Sequence, residues 1–108
     1  MANTVKQLVA PTALSVTTTT TLYTVPGSTK AVIKEILLCN TDSVARTVTM
    51  QVGTGTAAAN RILSALSLAA GETKFVSLST VMNAAETITC GASAASVVSC
   101  VVSGVEVA

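Results

Sequence analysis

The stretch that decides the fold is Tyr23–Val52, YTVPGSTKAVIKEILLCNTDSVARTVTMQV. Its density of Val, Ile, Leu and Thr is typical of β-strands. Lys30–Asn40 and Arg46–Val52 are predicted to be two long strands. The polar residues Asn40–Ser43 favour a turn, so we expect the two strands to form a hairpin with a short loop. Pro26–Gly27 predicts a type II turn before the first long strand, with the glycine at positive φ.

The two long strands differ in how their side chains alternate. Arg46–Val52 alternates apolar and polar residues, which is typical of a half-exposed strand. Lys30–Asn40 is largely apolar on both faces, which is typical of a strand that is covered on both sides. One face is expected to lie on the core. The other, which carries Ile33 and Leu37, is expected to contact a loop, an N-terminal arm or a partner subunit.

Residues 1–10 are predicted to form an N-terminal arm or an edge strand. Pro11 is expected to end it, because proline donates no hydrogen bond to a sheet. Residues 11–108 are predicted to form a single β-sandwich domain. Val5, Leu8 and Val9 in the arm join Ile33 and Leu37 as predicted subunit contacts.

The rest of the chain continues the β pattern, with turn signals between short strands. Gly53–Asn60 is interpreted as a connection that crosses from one sheet to the other. Phe75, the only phenylalanine, is expected to fill the core. Gly104 is expected to bend or bulge the last strand. The sequence therefore predicts an all-β, antiparallel β-sandwich of about eight strands, and jelly-roll connectivity is one option.

The composition favours a protein that assembles with others. Only 10% of the residues are charged, against about 25% in ordinary soluble domains. A free monomer usually keeps more charge on its surface for solubility. We therefore expect much of the surface to lie against other subunits. The alternative is a small monomer that happens to be poor in charge.

Several function classes lack the residues that they need. The chain has no histidine, and its five acidic residues are scattered. The sequence therefore predicts no enzyme, no catalytic residues, no metal site and no cofactor. A net charge of +1 without a basic run predicts no nucleic-acid binding. No signal peptide or transmembrane helix is expected either.

Cys39, Cys90 and Cys100 are odd in number and have no CxxC spacing. They are interpreted as reduced, buried residues that act as small hydrophobes. A disulfide between Cys90 and Cys100 across adjacent strands is the alternative.

Two stretches resemble a pattern found in small virion proteins of tailed bacteriophages. The first, LYTVPGSTKAVIKEILLCNTDSVARTVTMQV, contains a short strand, a Pro-Gly turn, a long apolar strand that ends in Asn-Thr, and a returning strand. The second, AAETITCGASAASVVSCVVSGVEV, contains a strand, a loop of small residues and a closing strand. The resemblance covers Leu22–Val107.

The resemblance implies a structural subunit of a virus particle, made in the host cytoplasm and located in the virion. Head decoration (a cement protein) is favoured, with the major capsid protein or other virion proteins as partners. Self-association as a homo-oligomer, with a trimer favoured, is expected. Two alternatives remain open. One is a tail- or fibre-associated module that binds a surface, and the other is a soluble ligand-binding β domain, which would be a monomer with a pocket.

Overall fold

The computed structural model describes residues 3–17, 19–55 and 58–108. The first two residues of the predicted arm and part of the Gly53–Asn60 connection lie outside this description. Within it, eight β-strands form two four-stranded sheets, so the predicted all-β antiparallel sandwich is confirmed. The strands are β1 (Asn3–Ala13), β2 (Thr21–Thr24), β3 (Lys30–Asn40), β4 (Arg46–Gly53), β5 (Arg61–Leu68), β6 (Thr73–Met82), β7 (Thr87–Ala92) and β8 (Val98–Val107).

The strand order is that of a jelly roll. The first sheet has the order β1-β8-β3-β6 and the second has the order β2-β7-β4-β5. Among the described strands, only β4 and β5 are both consecutive in sequence and adjacent in a sheet. Every other connection crosses between the sheets. Apart from the β4–β5 pair, the paired strands are therefore far apart in sequence.

The predicted hairpin of β3 and β4 is wrong, because the two strands lie in opposite sheets. The turn residues between them form a crossover. The Asn40 side-chain amide, which is fully buried, donates to the carbonyl oxygens of Val44 (2.9 Å) and Ala69 (3.1 Å). These bonds hold the crossover against the connection that follows β5. The predicted crossing at Gly53–Asn60 is also wrong, since that segment joins neighbouring strands of the second sheet.

An irregularity in the first sheet explains why β3 looked apolar on both faces. Between the same two lateral rows, β8 has no intervening residue, β3 has one (Lys34) and β6 has two (Leu78 and Ser79). The extra residue in β3 reverses its side-chain alternation at Lys34 and Glu35. Ile33 before the bulge and Ile36 after it consequently both lie in the core. The prediction of a second apolar face that carries Ile33 is therefore wrong.

Gly104 lies opposite Ile33, directly beside this irregularity. A Cβ atom built on Gly104 would lie only 2.1 Å from the Val32 carbonyl oxygen and 2.9 Å from Leu8 Cδ1. Since real Cβ atoms do not approach backbone oxygens so closely, only glycine fits at this point of the sheet.

The N-terminal segment is an edge strand of the first sheet. β1 pairs with β8 from Asn3 to Ala13, and Pro11 lies within it at a register shift between Val9 and Thr12. The prediction that Pro11 ends the strand is wrong, because an edge strand tolerates a missing donor at a bulge.

Local backbone conformations differ from two further expectations. Ser28, rather than Gly27, takes the left-handed conformation after Pro26, with φ of 57°. In β5, Ala65 has φ of 50° and interrupts the strand's alternation. Neither position could be identified from turn propensities alone, because both residues are unusual in the left-handed region.

The core between the sheets is made almost entirely of aliphatic side chains and two cysteines. Phe75 is not part of it and is 66% exposed, so the prediction that it fills the core is wrong. The largest fully buried apolar side chains are Leu14, Ile33, Ile36, Leu38, Met50, Leu68, Met82 and Ile88.

We predict that Gly104→Ala lowers the free energy of unfolding by about 3 kcal/mol, because the new methyl group forces the β8 backbone away from Val32. Urea unfolding followed by circular dichroism measures this change. Gly27→Ala is the matched control, since a Cβ at Gly27 meets nothing within 4 Å, and we expect it to change stability by less than about 0.5 kcal/mol. Equal effects of the two substitutions would contradict the close approach at Gly104.

Candidate functional site

The candidate functional site is the outer face of the first sheet, the side that points away from the core. Two apolar rows cross it. The valine row contains Val5, Val105, Val32 and Val81, which lie opposite one another on β1, β8, β3 and β6 in turn. The phenylalanine row contains Val101, Leu37 and Phe75, which lie opposite one another on β8, β3 and β6.

A polar row separates the two apolar rows. It contains Gln7, Ser103, Glu35 and Ser77, again opposite one another on the four strands. Lys34, at the bulge, extends towards β6 and donates a hydrogen bond to Ser79 (3.2 Å). Glu35 and Lys34 thus lie between the two apolar rows.

Most of the exposed large hydrophobic side chains in the described part of the chain lie in these two rows. Of the seven large hydrophobic side chains that are exposed in the described part of the chain, four lie in these rows. Val5 is 84% exposed, Val81 58% and Leu37 37%. Contiguous apolar surface of this kind usually marks an interaction site in soluble proteins.

The second sheet differs at its centre. Gln51 on β4 and Thr89 on β7 lie opposite each other on its outer side, yet both are buried. Thr89 donates a hydrogen bond to the Gln51 side-chain oxygen (3.0 Å). At its centre, the outer side of the second sheet is therefore buried, whereas the centre of the outer side of the first sheet is exposed.

The five residues predicted as subunit contacts fall into two groups. Leu8, Val9 and Ile33 lie in the core of the chain itself, with at most 5% exposure. Only Val5 and Leu37 present their side chains on the surface, one in each apolar row. A contact through this face therefore remains a prediction for these two residues.

Sequence reasoning missed Phe75 and Val81 as members of the site. The signal was present in the alternation of β6, TKFVSLSTVM, where Phe75 and Val81 share a face with Ser77 and Ser79. The opposite face carries the more consistently apolar set. Phe75 was assigned to the core because an aromatic residue usually lies inside, and the strand's alternation is the stronger signal here.

One network of titratable groups links the two sheets at their edge. The Tyr23 hydroxyl on β2 donates a hydrogen bond to the Glu106 carboxylate on β8, which also pairs with Lys6 on β1 (3.4 Å). Burial, together with this hydrogen bond to Glu106, raises the pKa of Tyr23 well above its ordinary value. The tyrosine stays protonated and acts as a donor, which is a structural role.

A second charged pair lies at the crossover between β3 and β4. Arg46 and Asp42 form a salt bridge at 2.6 Å. The hydrogen bond from Arg46 lowers the pKa of the Asp42 carboxyl. The pair helps to hold the local backbone at the crossover. Because it is partly exposed, it contributes little to stability.

The cysteines are free thiols. Cys90 on β7 and Cys100 on β8 lie in opposite sheets and both point into the core, so the predicted placement on adjacent strands is wrong. The neighbouring Cys100 thiol and burial raise the pKa of the Cys90 thiol. A buried, protonated thiol is a poor nucleophile.

Little else on the described surface offers binding chemistry. Residues 3–17, 19–55 and 58–108 contain no group of three His, Cys, Asp or Glu side chains that could hold a metal ion. A depression of about 460 Å³ lies beside Ser28–Lys30, Asn83–Ala84 and Val107–Ala108. Its lysine, Lys30, is already bonded to Asn83 Oδ1 (2.8 Å).

Comparisons with protein-family models, curated proteins and solved structures found no match to this chain. None of the helices in the described residues has the length and apolar character needed to span a bilayer.

We predict that Leu38→Asp prevents folding and that Leu37→Asp does not, although the two residues are adjacent. Leu38 is fully buried, so a carboxylate there should cost about 4 kcal/mol or more and prevent folding. Leu37 lies on the outer face, so Leu37→Asp should fold and lose less than about 1 kcal/mol. Circular dichroism and urea unfolding of both variants measure this. Equal loss of structure would contradict the assignment of the faces.

Proposed function

We propose that this protein is a non-enzymatic structural subunit of a bacteriophage particle, which decorates the head and stabilises its shell. The apolar outer face of the first sheet is the observation that carries this proposal. It offers a docking surface built on rigid strands, and it lies on a domain whose described residues present no cluster of catalytic or metal-binding groups. The resemblance of Leu22–Val107 to small virion proteins points in the same direction.

The chemistry of the outer face suits permanent attachment to a shell. Each Å² of apolar surface that is removed from water contributes roughly 25 cal/mol, and long-lived interfaces use more apolar surface than transient ones. The polar row between the apolar rows supplies direction, because Glu35 and Lys34 can pair only with a partner of complementary pattern. The major capsid protein is the proposed partner.

The jelly-roll strand order supports the proposal without deciding it. This fold occurs in viral capsid proteins, and it also occurs in lectins and cupins. Because one fold hosts many functions, the argument depends on the surface rather than on the topology.

We predict that Val5→Ser combined with Leu37→Ser reduces binding to phage heads at least tenfold, because both apolar rows lose an exposed member. The measurement is co-sedimentation of the purified variant with heads that lack this protein, taken from the phage that encodes it. Val44→Ser combined with Ile62→Ser is the matched control. Those residues are similarly apolar and exposed, at 49% and 37%, but lie off the outer face.

The expected result is loss of binding for the first pair and unchanged binding for the control. Unchanged binding of both variants, or failure of the unmodified protein to bind heads, would contradict the proposal. Separated tails are included in the same assay. Binding to tails instead of heads would favour the tail-associated alternative over decoration.

A further inference from the structure

Four strands form the edges of the two sheets, and β6 is the least protected of them. Exposed edges invite pairing with another chain, and proteins usually block them with charges, proline, bulges or short length. β1 carries Lys6, Pro11 and two register shifts, and β2 has only four residues. β5 is interrupted at Ala65, where φ is 50°.

β6 has a bulge at Leu78 and Ser79, on the side of β3, but none of the other devices between Phe75 and Met82. It is ten residues long, and residues 75–82, FVSLSTVM, contain no charge, no proline and no glycine. Its inward and outward residues alternate regularly from end to end. Its single irregularity in pairing lies on the side of β3. The open backbone edge thus offers unpaired N–H and C=O groups to another strand.

The side chains of β6 are nearly symmetric about Leu78. On the outward side, Phe75 and Val81 lie three residues before and after it, and Ser77 and Ser79 lie one residue before and after it. On the inward side, Val76 and Leu78 are only half-buried at the rim of the core. A sequence of this symmetry is complementary to itself in the antiparallel direction.

We propose that β6 pairs antiparallel with β6 of a second copy of this chain, with Leu78 opposite Leu78 of the partner subunit. In a two-fold pair, opposite residues must face the same side of the sheet, so the axis must pass through a residue. Centring on Leu78 places Phe75 opposite the partner's Val81. With the axis at Ser77, Phe75 would lie opposite Ser79 of the partner subunit. With the axis at Ser79, Phe75 would have no opposite residue, because its position in the partner lies beyond the end of β6.

This pairing joins the two first sheets into one sheet of eight strands. At one junction, Val81 lies opposite the partner's Phe75, so the valine row of the first copy meets the phenylalanine row of the second. At the other junction, Phe75 lies opposite the partner's Val81, so the phenylalanine row of the first copy meets the valine row of the second. Each joined row then contains seven residues, four from one copy and three from the other, and Val76 and Leu78 gain cover at the rim of the core.

The inference rests on the proposed structural role, because it concerns the same outer face, and it specifies how that face is assembled. The contact is two-fold, so it produces a dimer in place of the trimer expected from the sequence. Dimerisation is measured without phage particles. Its failure is therefore distinguishable from failure of head binding.

The test uses two double variants of the exposed serines. Ser77→Lys with Ser79→Lys places like charges opposite each other twice across the proposed axis, and we expect the dimer to weaken about tenfold or more. Ser77→Lys with Ser79→Glu places opposite charges there, so we expect the dimer to persist. In the lysine–glutamate variant the introduced charges also suit their own chain, since Ser77 lies opposite Glu35 and Ser79 is bonded to Lys34. In the two-lysine variant Ser79→Lys faces Lys34 of its own chain, so its free energy of unfolding is measured alongside its association.

The second variant also tests the register. If the axis passed through Ser77 or Ser79, it would place like charges opposite each other and dissociate the dimer. Sedimentation velocity over a concentration series measures the association, and circular dichroism confirms folding. Hydrogen exchange of the unmodified protein gives an independent readout, because β6 amides on the open edge should become protected as concentration rises.

The proposal is supported by a dimer that the two-lysine variant loses and the lysine–glutamate variant keeps. A monomer at every concentration, a trimer, or β6 amides that exchange equally fast at all concentrations would overturn it. Dissociation of the dimer by both variants would overturn the register centred on Leu78.

Discussion

The close approach of Gly104 to the Val32 backbone is the constraint on which the rest of the structure depends. It allows β8 and β3 to stay paired although β3 carries one residue more between the same two rows. That extra residue reverses the alternation of β3 at Lys34 and Glu35. It therefore places Ile33 and Ile36 together in the core and leaves Leu37 outside. Without the bulge, the strand could bury one half of its apolar residues only by exposing the other half.

The same irregularity shapes the proposed functional surface. Because the alternation changes partway along β3, the outer face carries Val32 and Leu37 on either side of Lys34 and Glu35. The result is two apolar rows with a polar row between them.

Sequence patterns predicted the positions of the strands along the chain better than the pairing of those strands in the sheets. The bounds of β3 were predicted to the residue, because a long apolar run between turn signals is unambiguous. Strand pairing was missed, because Asn40–Ser43 indicates only that the chain changes direction. The side-chain bonds of Asn40, which make the segment a crossover, go to residues far away in sequence. The alternation of β3 was misjudged because a bulge is invisible without its partner strands.

The candidate site was partly predictable for a related reason. Val5 and Leu37 were identified from local patterns, but their neighbours on other strands could be grouped with them only once the register was known. Phe75 shows the limit of composition as a guide, since its hydrophobicity suggested the core and its position in β6 placed it on the surface.

Cryo-electron microscopy of purified particles from the encoding phage tests the central claim most directly. The account predicts density for this eight-stranded sandwich on the head, with the outer face of the first sheet in contact with neighbouring protein. Absence of the chain from the particles, or attachment through the second sheet with both apolar rows left in solvent, would contradict it.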